Sequence, residues 1–215
     1  MTIEIAVAGV LGALFGFGAD RLSVRWPVHA DTTTRPLDWR TVVVVVAGAA
    51  SLAALLARWS DTQDIAVLGL YIAALIVLLA TDLDQKLLPD LITLPLIGYA
   101  ALVTFLGLNP VLAGKAEVLI APGDLTAVLA ALLAPGALYV TDRIFKGALG
   151  MGDLKLAVSL GFMFGLSQLF IGFLAATIVF AVVVLLLVVT RRVNMKTAIP
   201  FGPALIGAGI VASLL

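Results

Sequence analysis

Residues 71–90 read Tyr-Ile-Ala-Ala-Leu-Ile-Val-Leu-Leu-Ala-Thr-Asp-Leu-Asp-Gln-Lys-Leu-Leu-Pro-Asp, so a long apolar run ends in a carboxylate at Asp82. A second stretch, residues 150–156, reads Gly-Met-Gly-Asp-Leu-Lys-Leu and places Asp153 at the start of another apolar run. An ionisable group at the edge of a hydrocarbon layer costs roughly 2.5 kcal/mol or more, and it usually marks a functional site. The two aspartates therefore suggest a pair that acts together.

The composition is that of an integral membrane protein. Of the 215 residues, 62% are hydrophobic and 12% are charged, and the mean hydropathy is +1.19; soluble proteins carry about 25% charged residues. The chain has no cysteine, which excludes disulfides and thiolate metal sites. His29 is its single histidine, so we expect no metal at the site. We expect the lipid bilayer as a partner and no nucleic acid.

Eight apolar segments have or approach the length of about 20 residues that a membrane helix needs. They are residues 2–19, 41–58, 64–81, 91–108, 124–141, 154–166, 168–190 and 198–215. The sequence thus predicts an all-α fold, a polytopic transmembrane bundle of about eight helices. The first segment has no basic residue before it and carries Glu4 in its first turn, so we interpret it as a membrane helix rather than a cleaved signal.

The basic residues predict how this bundle is oriented. If the N-terminus lies outside, eleven of the thirteen basic residues fall in loops on the inner side. This asymmetry follows the positive-inside rule and assigns both aspartate stretches to the cytoplasmic face of the plasma membrane. The longest inner loop, residues 20–40, has Trp26 and Trp39 placed as interfacial anchors. We expect two parts, a two-helix region over residues 1–63 and a bundle with both aspartates over residues 64–215.

The stretch after Asp82 is short and constrained. Pro89 cannot extend a helix and biases the residue before it toward an extended conformation. Asp84 lies two residues past Asp82, about 200° around a helix axis, so the two carboxylates do not face each other. We therefore expect Asp84 and Asp90 to be solvated.

The second stretch allows two interpretations of Asp153. Gly150 and Gly152 let another segment approach closely, as a peptide-binding cleft requires. Aspartate is also a favourable helix N-cap, which is the purely structural interpretation. Lys155 points away from Asp153 on a helix, and we interpret it as an interfacial anchor rather than as a partner of that carboxylate.

Two carboxylates can hydrolyse a peptide bond without metal, cysteine or serine. Because close like charges do not both ionise, one acts as a base toward water and the other as an acid toward the carbonyl. A helix N-terminus favours an anion and a helix C-terminus does not. Our hypothesis is that Asp153 is the anion and that Asp82 carries the shared proton.

At these residues the sequence resembles the type IV prepilin peptidases, the bacterial branch of the membrane-embedded G-x-G-D aspartyl proteases. Three motifs carry the resemblance: residues 82–90, residues 150–156, and residues 199–205, which read Ile-Pro-Phe-Gly-Pro-Ala-Leu. The resemblance covers about residues 64–215. It implies that Asp82 and Asp153 are the catalytic pair.

The resemblance also implies a substrate and a site boundary. The expected substrates are prepilins or pseudopilins of type IV pilus or type II secretion systems, cut after a short basic leader at the cytoplasmic face. The third motif is expected to pack near the site, although by its residues alone it is a break at a helix start. The residues expected to shape the site are Pro89, Gly150, Gly152, Pro200, Gly202 and Pro203.

The N-terminal part departs from the fuller members of this family. Those members carry paired Cys-x-x-Cys motifs in the first inner loop, and some methylate the new N-terminus with S-adenosylmethionine. Here the loop keeps only Arg25-Trp26-Pro27 and has no cysteine, so the chain resembles a short form without a zinc site there. We expect no cofactor for proteolysis, and S-adenosylmethionine only if methylation is retained.

Three further carboxylates share the expected cytoplasmic rim and are candidate contacts for a basic leader: Asp84, Asp90 and Asp142. Two alternatives to the peptidase stay open. An ion-coupled transporter also uses membrane carboxylates and broken helices, but its carboxylates usually lie near the midplane rather than at the ends of apolar runs. A non-catalytic pilin-assembly protein would not need both Asp82 and Asp153.

Overall fold

A computed structural model describes residues 2–27, 35–112, 123–145, 150–189 and 201–215 of the chain. Within these ranges the regular structure is entirely α-helical, in seven helices. They are α1 (Thr2–Ser23), α2 (Trp39–Arg58), α3 (Thr62–Gln85), α4 (Asp90–Phe105), α5 (Gly123–Phe145), α6 (Met151–Val189) and α7 (Gly202–Ser213). The predicted all-α class is confirmed.

Among the described residues, five helices are long and apolar enough to cross a membrane, namely α1, α2, α3, α5 and α6. Helices α4 and α7 are shorter apolar helices. The protein is therefore a polytopic helical membrane protein, as its composition indicated.

The predicted segments 154–166 and 168–190 form one helical element, α6, with a break at Gly165. Gly165 has φ 63° and ψ −177°, a backbone conformation that residues other than glycine rarely adopt. The expected break is thus present, but it is a kink inside α6. If α6 is counted as two segments, one on each side of the kink, the described helices agree with the predicted bundle of about eight segments.

Capping residues explain where α2 and α3 begin. The Asp38 carboxylate accepts hydrogen bonds from the backbone N–H groups of Arg40 and Thr41, at 3.0 and 3.4 Å. The Asp61 carboxylate accepts from the second and third residues of α3. Each cap satisfies backbone donors that have no partner within the helix.

Helix α3 lies at the centre of the bundle and contacts α1, α2, α4 and α7. Its apolar side chains Leu68, Ile72 and Leu75 are fully buried. A buried hydrogen bond of 2.9 Å joins the Tyr71 hydroxyl on α3 to the Ser159 hydroxyl on α6. The Tyr71 ring also packs edge-on against Phe164, with 5.6 Å between ring centroids. These contacts hold the helix of Asp82 against the helix of Asp153.

Candidate active site

Asp82 lies in the last turns of α3 and is 5% exposed, in a position where a charged group is normally paired. Its Oδ2 atom is buried and receives no hydrogen bond from any described residue. The backbone of Gly202, at the first position of α7, lies directly against this carboxyl group. The carboxyl group of Asp82 is thus enclosed by the start of a helix that is distant in sequence.

A tight turn follows Asp82. The Lys86 N–H donates to the Asp82 carbonyl at 2.9 Å, and Lys86 has left-handed backbone angles, φ 54° and ψ 38°. A left-handed residue at this position commonly ends a helix. Pro89 is extended and precedes α4, and its carbonyl accepts from the Thr93 N–H at 3.0 Å. The chain therefore leaves α3 and begins α4 close to Asp82.

Asp153 is the third residue of α6 and is 9% exposed. Its Oδ2 atom accepts a hydrogen bond of 3.0 Å from the N–H of Gly150, just before the helix. A carboxylate that reaches back from the third helical position satisfies a backbone donor at the helix start. Asp153 is therefore inside the helix and is not its N-cap, but its carboxylate still binds a donor at the helix start, and that contact fixes its direction.

The two aspartates line the same cavity, which has a volume of about 610 Å³. Pro89, Gly150 and Gly152 line it as well. Gly152 lies against Leu88 of the turn between α3 and α4, because a Cβ at position 152 would stand 2.7 Å from the Leu88 Cβ. The structure thus brings both aspartate stretches together at one end of the bundle.

The cavity rim combines charge with apolar surface. Lys155 Nζ lies 2.6 Å from Asp90 Oδ1, so Lys155 pairs across the rim with Asp90 rather than with Asp153. Asp90 remains 60% exposed at its side chain. Leu87, Leu91 and Met151 line the cavity and are exposed. A peptide with a basic end and an apolar segment would meet complementary groups here.

Asp84 differs from the expectation that it is solvated. Its side chain is only 9% exposed and lies between two arginines. Asp84 Oδ1 is 3.3 Å from Arg35 Nε and 3.2 Å from Arg40 Nη1. The charge of Asp84 is therefore compensated within the protein.

The remaining predicted site residues are placed as follows. Pro203 follows Gly202 in the first turn of α7 and is partly buried. Asp142 lies near the end of α5 and is not among the described residues that line the cavity. Pro200 lies outside the described residues.

Sequence reasoning missed the contribution of the N-terminal region. Trp26 and Pro27 line the cavity together with the aspartates, although the sequence indicated only an interfacial anchor and a trace of a family motif. The partners of Asp84, Arg35 and Arg40, were also missed. The available signal was a polar loop with two tryptophans, and it does not specify which helix these residues contact.

No group of three or more histidine, aspartate or glutamate side chains within the described ranges is arranged to hold a metal ion. Two nearly buried carboxyl groups, those of Asp82 and Asp153, line the cavity. They are carried by separate helices and enclosed by glycine backbones.

A family model described as the type IV leader peptidase family matches residues 69–186, more than half of the chain. The chain belongs to the type IV leader peptidase family. The part that matches this leader peptidase model contains both Asp82 and Asp153, whereas α1, α2 and α7 lie outside it.

Relatives of this leader peptidase family member are named prepilin leader peptidase/N-methyltransferase. The protein from Aeromonas hydrophila is 32% identical over 195 residues, which cover 90% of this chain and 59% of that protein. The protein from Pseudomonas putida is 30% identical over 197 residues, 90% of this chain and 60% of the relative. That from Bacillus subtilis (strain 168) is 32% identical over 148 residues, 67% of this chain and 53% of the relative.

The chain therefore spans less than two thirds of the length of these relatives. No solved structure matches it.

Proposed function

We propose that this protein is a membrane aspartyl endopeptidase that removes a short basic leader from prepilins or pseudopilins. One observation carries the proposal: Asp82 and Asp153, from helices α3 and α6, are both nearly buried and line one cavity at the end of the bundle. Two carboxyl groups that share a site of low polarity are arranged for acid and base roles. The family membership supports this chemistry.

The proposed reaction uses one water molecule. The ionised aspartate takes a proton from water while oxygen attacks the scissile carbonyl, and the protonated aspartate donates its proton to the carbonyl oxygen. The tetrahedral intermediate then collapses: the C–N bond breaks and the leaving amine receives the proton taken from water. One hydroxyl of the intermediate returns its proton to the aspartate that had donated it. The products are a new carboxyl terminus and a new amino terminus, and the dyad returns to one shared proton.

We propose Asp153 as the base and Asp82 as the acid. The Gly150 N–H donates to Asp153 Oδ2, a contact that stabilises a carboxylate. No described residue donates to Asp82 Oδ2, and a protonated carboxyl group needs fewer donors. The test is to resolve the NMR signals of the two carboxyl carbons, using Asp82→Asn and Asp153→Asn to identify each signal. The proposal fails if Asp153 is the protonated member.

The charges at the cavity end support a cytoplasmic site in the plasma membrane. Arg21, Arg25 and Arg35 lie in or near the first loop, and Lys86 and Lys155 line the cavity itself. Basic residues are enriched on the cytoplasmic side of membrane proteins. The site is therefore proposed to meet a leader that has not crossed the membrane.

The rim supports a substrate with a basic leader and an apolar segment. Asp90 offers an exposed carboxylate, and Leu87, Leu91 and Met151 offer apolar contacts beside it. Asp142, which the sequence assigned to the same cytoplasmic face, stays a candidate contact. Type IV prepilins and type II secretion pseudopilins have this pattern and are the proposed substrates.

Proteolysis is proposed to need no cofactor. The relatives' names also include N-methyltransferase, and methylation of the new N-terminus would use S-adenosylmethionine as methyl donor. Incubation of the cleaved product with enzyme and S-adenosylmethionine, followed by mass spectrometry, decides whether one methyl group is added.

The decisive experiment is cleavage of a prepilin substrate by the purified protein, compared with Asp82→Asn and Asp153→Asn. Asp64→Asn is the matched control, because Asp64 lies on the same helix as Asp82 at the opposite end. We expect both dyad variants to lose cleavage, the control to retain it, and a chelator to have no effect. Cleavage by either dyad variant contradicts the proposal.

The positions of the aspartates favour a peptidase over an ion-coupled transporter. Asp82 is three residues from the end of α3, and Asp153 is the third residue of α6. Both carboxyl groups are thus near helix ends, whereas transport carboxylates usually lie near the bilayer midplane. Ion flux into liposomes by a protein that cleaves no substrate would reverse this preference.

A further inference from the structure

A network of charged side chains connects the N-terminal helices to α3. Asp20, near the end of α1, is 1% exposed and forms ion pairs with Arg21 and Arg35. Its Oδ2 atom also accepts from the Thr41 hydroxyl on α2, at 2.8 Å. Arg35 donates in addition to Asp38 at 3.0 Å. Arg35, shortly before α2, thus connects the end of α1 to the residue that caps α2.

This network reaches α3 through Asp84. The Nε atom of Arg35 contacts Asp84 and its Nη2 atom contacts Asp20. One guanidinium group therefore bridges α1 and α3. Arg40, at the start of α2, donates to the same Asp84 oxygen. Beside it, Gln85 Nε2 donates to the Ser23 carbonyl at 2.5 Å. The last two residues of α3 are therefore both fixed to the N-terminal region.

These contacts hold the part of α3 that carries Asp82. Asp84 and Gln85 follow Asp82 by two and three residues, and the next residue, Lys86, donates its N–H to the Asp82 carbonyl. The terminal turn of a helix frays unless side chains or tertiary contacts fix it. Fraying here would move the Asp82 carboxyl group.

We infer that Arg35 and Arg40 are positioning residues, which hold Asp82 in its reactive place by binding Asp84. The inference rests on the proposed function, since it assigns their effect to the same dyad. It adds residues that lie outside the range matched by the family model, which begins at residue 69. The N-terminal region is then part of the catalytic apparatus, in agreement with Trp26 lining the cavity.

The physical reason is that removing one member of a partly buried ion pair costs more than the intact pair contributes to stability. Removing one partner leaves the other charge uncompensated in a place of low polarity. Without Arg35, Asp84 would keep only Arg40 and Asp20 would keep only Arg21 among the described cations, so each buried carboxylate would lose part of its compensation. The end of α3 would then rearrange, and a displacement of about 1 Å at a reacting group can cost about 100-fold in rate.

The test compares cleavage kinetics of Arg35→Gln, Asp84→Asn and the double variant with wild type. We expect each single variant to lower kcat about tenfold or more while KM changes less than about twofold, because positioning acts on the chemical step. The double variant should lose less than the sum of the two single effects, since both substitutions remove the contact between Arg35 and Asp84. Arg40→Gln should also lower kcat, and Arg40→Lys should restore part of that loss, because it keeps a cation beside Asp84.

The matched control is Arg58→Gln, which removes an arginine at the other end of α2 that donates to the Leu215 carbonyl. It should leave kcat and KM as in wild type. Thermal unfolding of each variant shows whether the bundle is still folded, so a loss of kcat with retained folding is attributed to position.

Hydrogen exchange supplies a readout that needs no activity. Arg35→Gln and Asp84→Asn should speed exchange at the amides of Gln85 and Lys86, and Arg58→Gln should not. Unchanged exchange there, an unchanged kcat, or additive losses in the double variant each overturn the inference. If wild type cleaves no prepilin, the proposed function fails, while the exchange rates still decide whether this network holds the end of α3.

Discussion

Gly202 lies against the carboxyl group of Asp82, although 120 positions separate them in the chain. A Cβ at position 202 would stand 2.5 Å from Asp82 Oδ2 and 2.6 Å from its Cγ. Real side chains do not approach so closely, so the glycine is required by the position of the carboxyl group. The start of α7 is thus a wall of the candidate site.

We therefore predict that Gly202→Ala displaces Asp82 and lowers kcat by about 100-fold, the order expected for misplacement of a reacting group. The measurement is prepilin cleavage by purified protein. Gly207→Ala is the control on the same helix, because a Cβ there would meet Ala176 at an ordinary distance of 3.7 Å. Equal activity of the two variants would contradict the assigned contact.

Gly152→Ala should separate the two aspartate stretches. Its Cβ would overlap Leu88, standing 2.7 Å from the Leu88 Cβ and 3.2 Å from the Leu88 carbonyl oxygen. Overpacking of this kind typically costs about 1–3 kcal/mol, so we expect a lower unfolding temperature together with reduced cleavage. A variant with wild-type stability and activity would contradict this prediction, because it would show that Leu88 can move away from the new Cβ without loss of stability.

Gly165→Ala should destabilise the bundle by about 1–3 kcal/mol, because alanine does not readily adopt the kink conformation. The new Cβ would also stand 3.0 Å from the Thr126 Oγ1 and 3.1 Å from the Leu112 Cδ2. Gly98→Ala is the control, since a Cβ there meets open space within α4. Thermal unfolding in detergent measures both, and we expect Gly98→Ala to unfold no earlier than wild type.

Asp90 and Asp84 should respond differently to substitution, although the sequence suggests the same role for both. Asp90→Asn should raise KM and weaken its dependence on salt, because an exposed rim charge acts mainly on encounter. Asp84→Asn should act on kcat, because its charge is already paired with arginines. The measurement is KM and kcat at several salt concentrations.

Lys155→Gln extends this prediction. Removing the partner of Asp90 frees that carboxylate for the leader, and exposed pairs of this kind contribute about 0.2–1 kcal/mol. We therefore expect KM to fall by up to about fivefold, with kcat unchanged. A rise in KM would show that Lys155, and not Asp90, contacts the substrate.

The sequence by itself determined the membrane class, the apolar segments and the end of the helix at which each aspartate lies. These are local properties, because the length of an apolar run and the position of a charge within it do not depend on distant residues. The division near residue 167 was predicted from the lengths of the apolar segments, and the structure has the break at Gly165. Its nature as a kink within α6 depended on how the two halves pack.

Tertiary structure alone decided which residues contact Asp82 and Asp84. Arg35 and Arg40 pair with Asp84 because the chain around the start of α2 lies against the end of α3, and Gly202 meets Asp82 because α7 begins there. Charge spacing along the chain could not reveal either contact, since an ion pair between distant segments depends on the packing of whole helices. Asp84 was expected in solvent because it points away from Asp82 on the helix, and the fold instead encloses it between two cations.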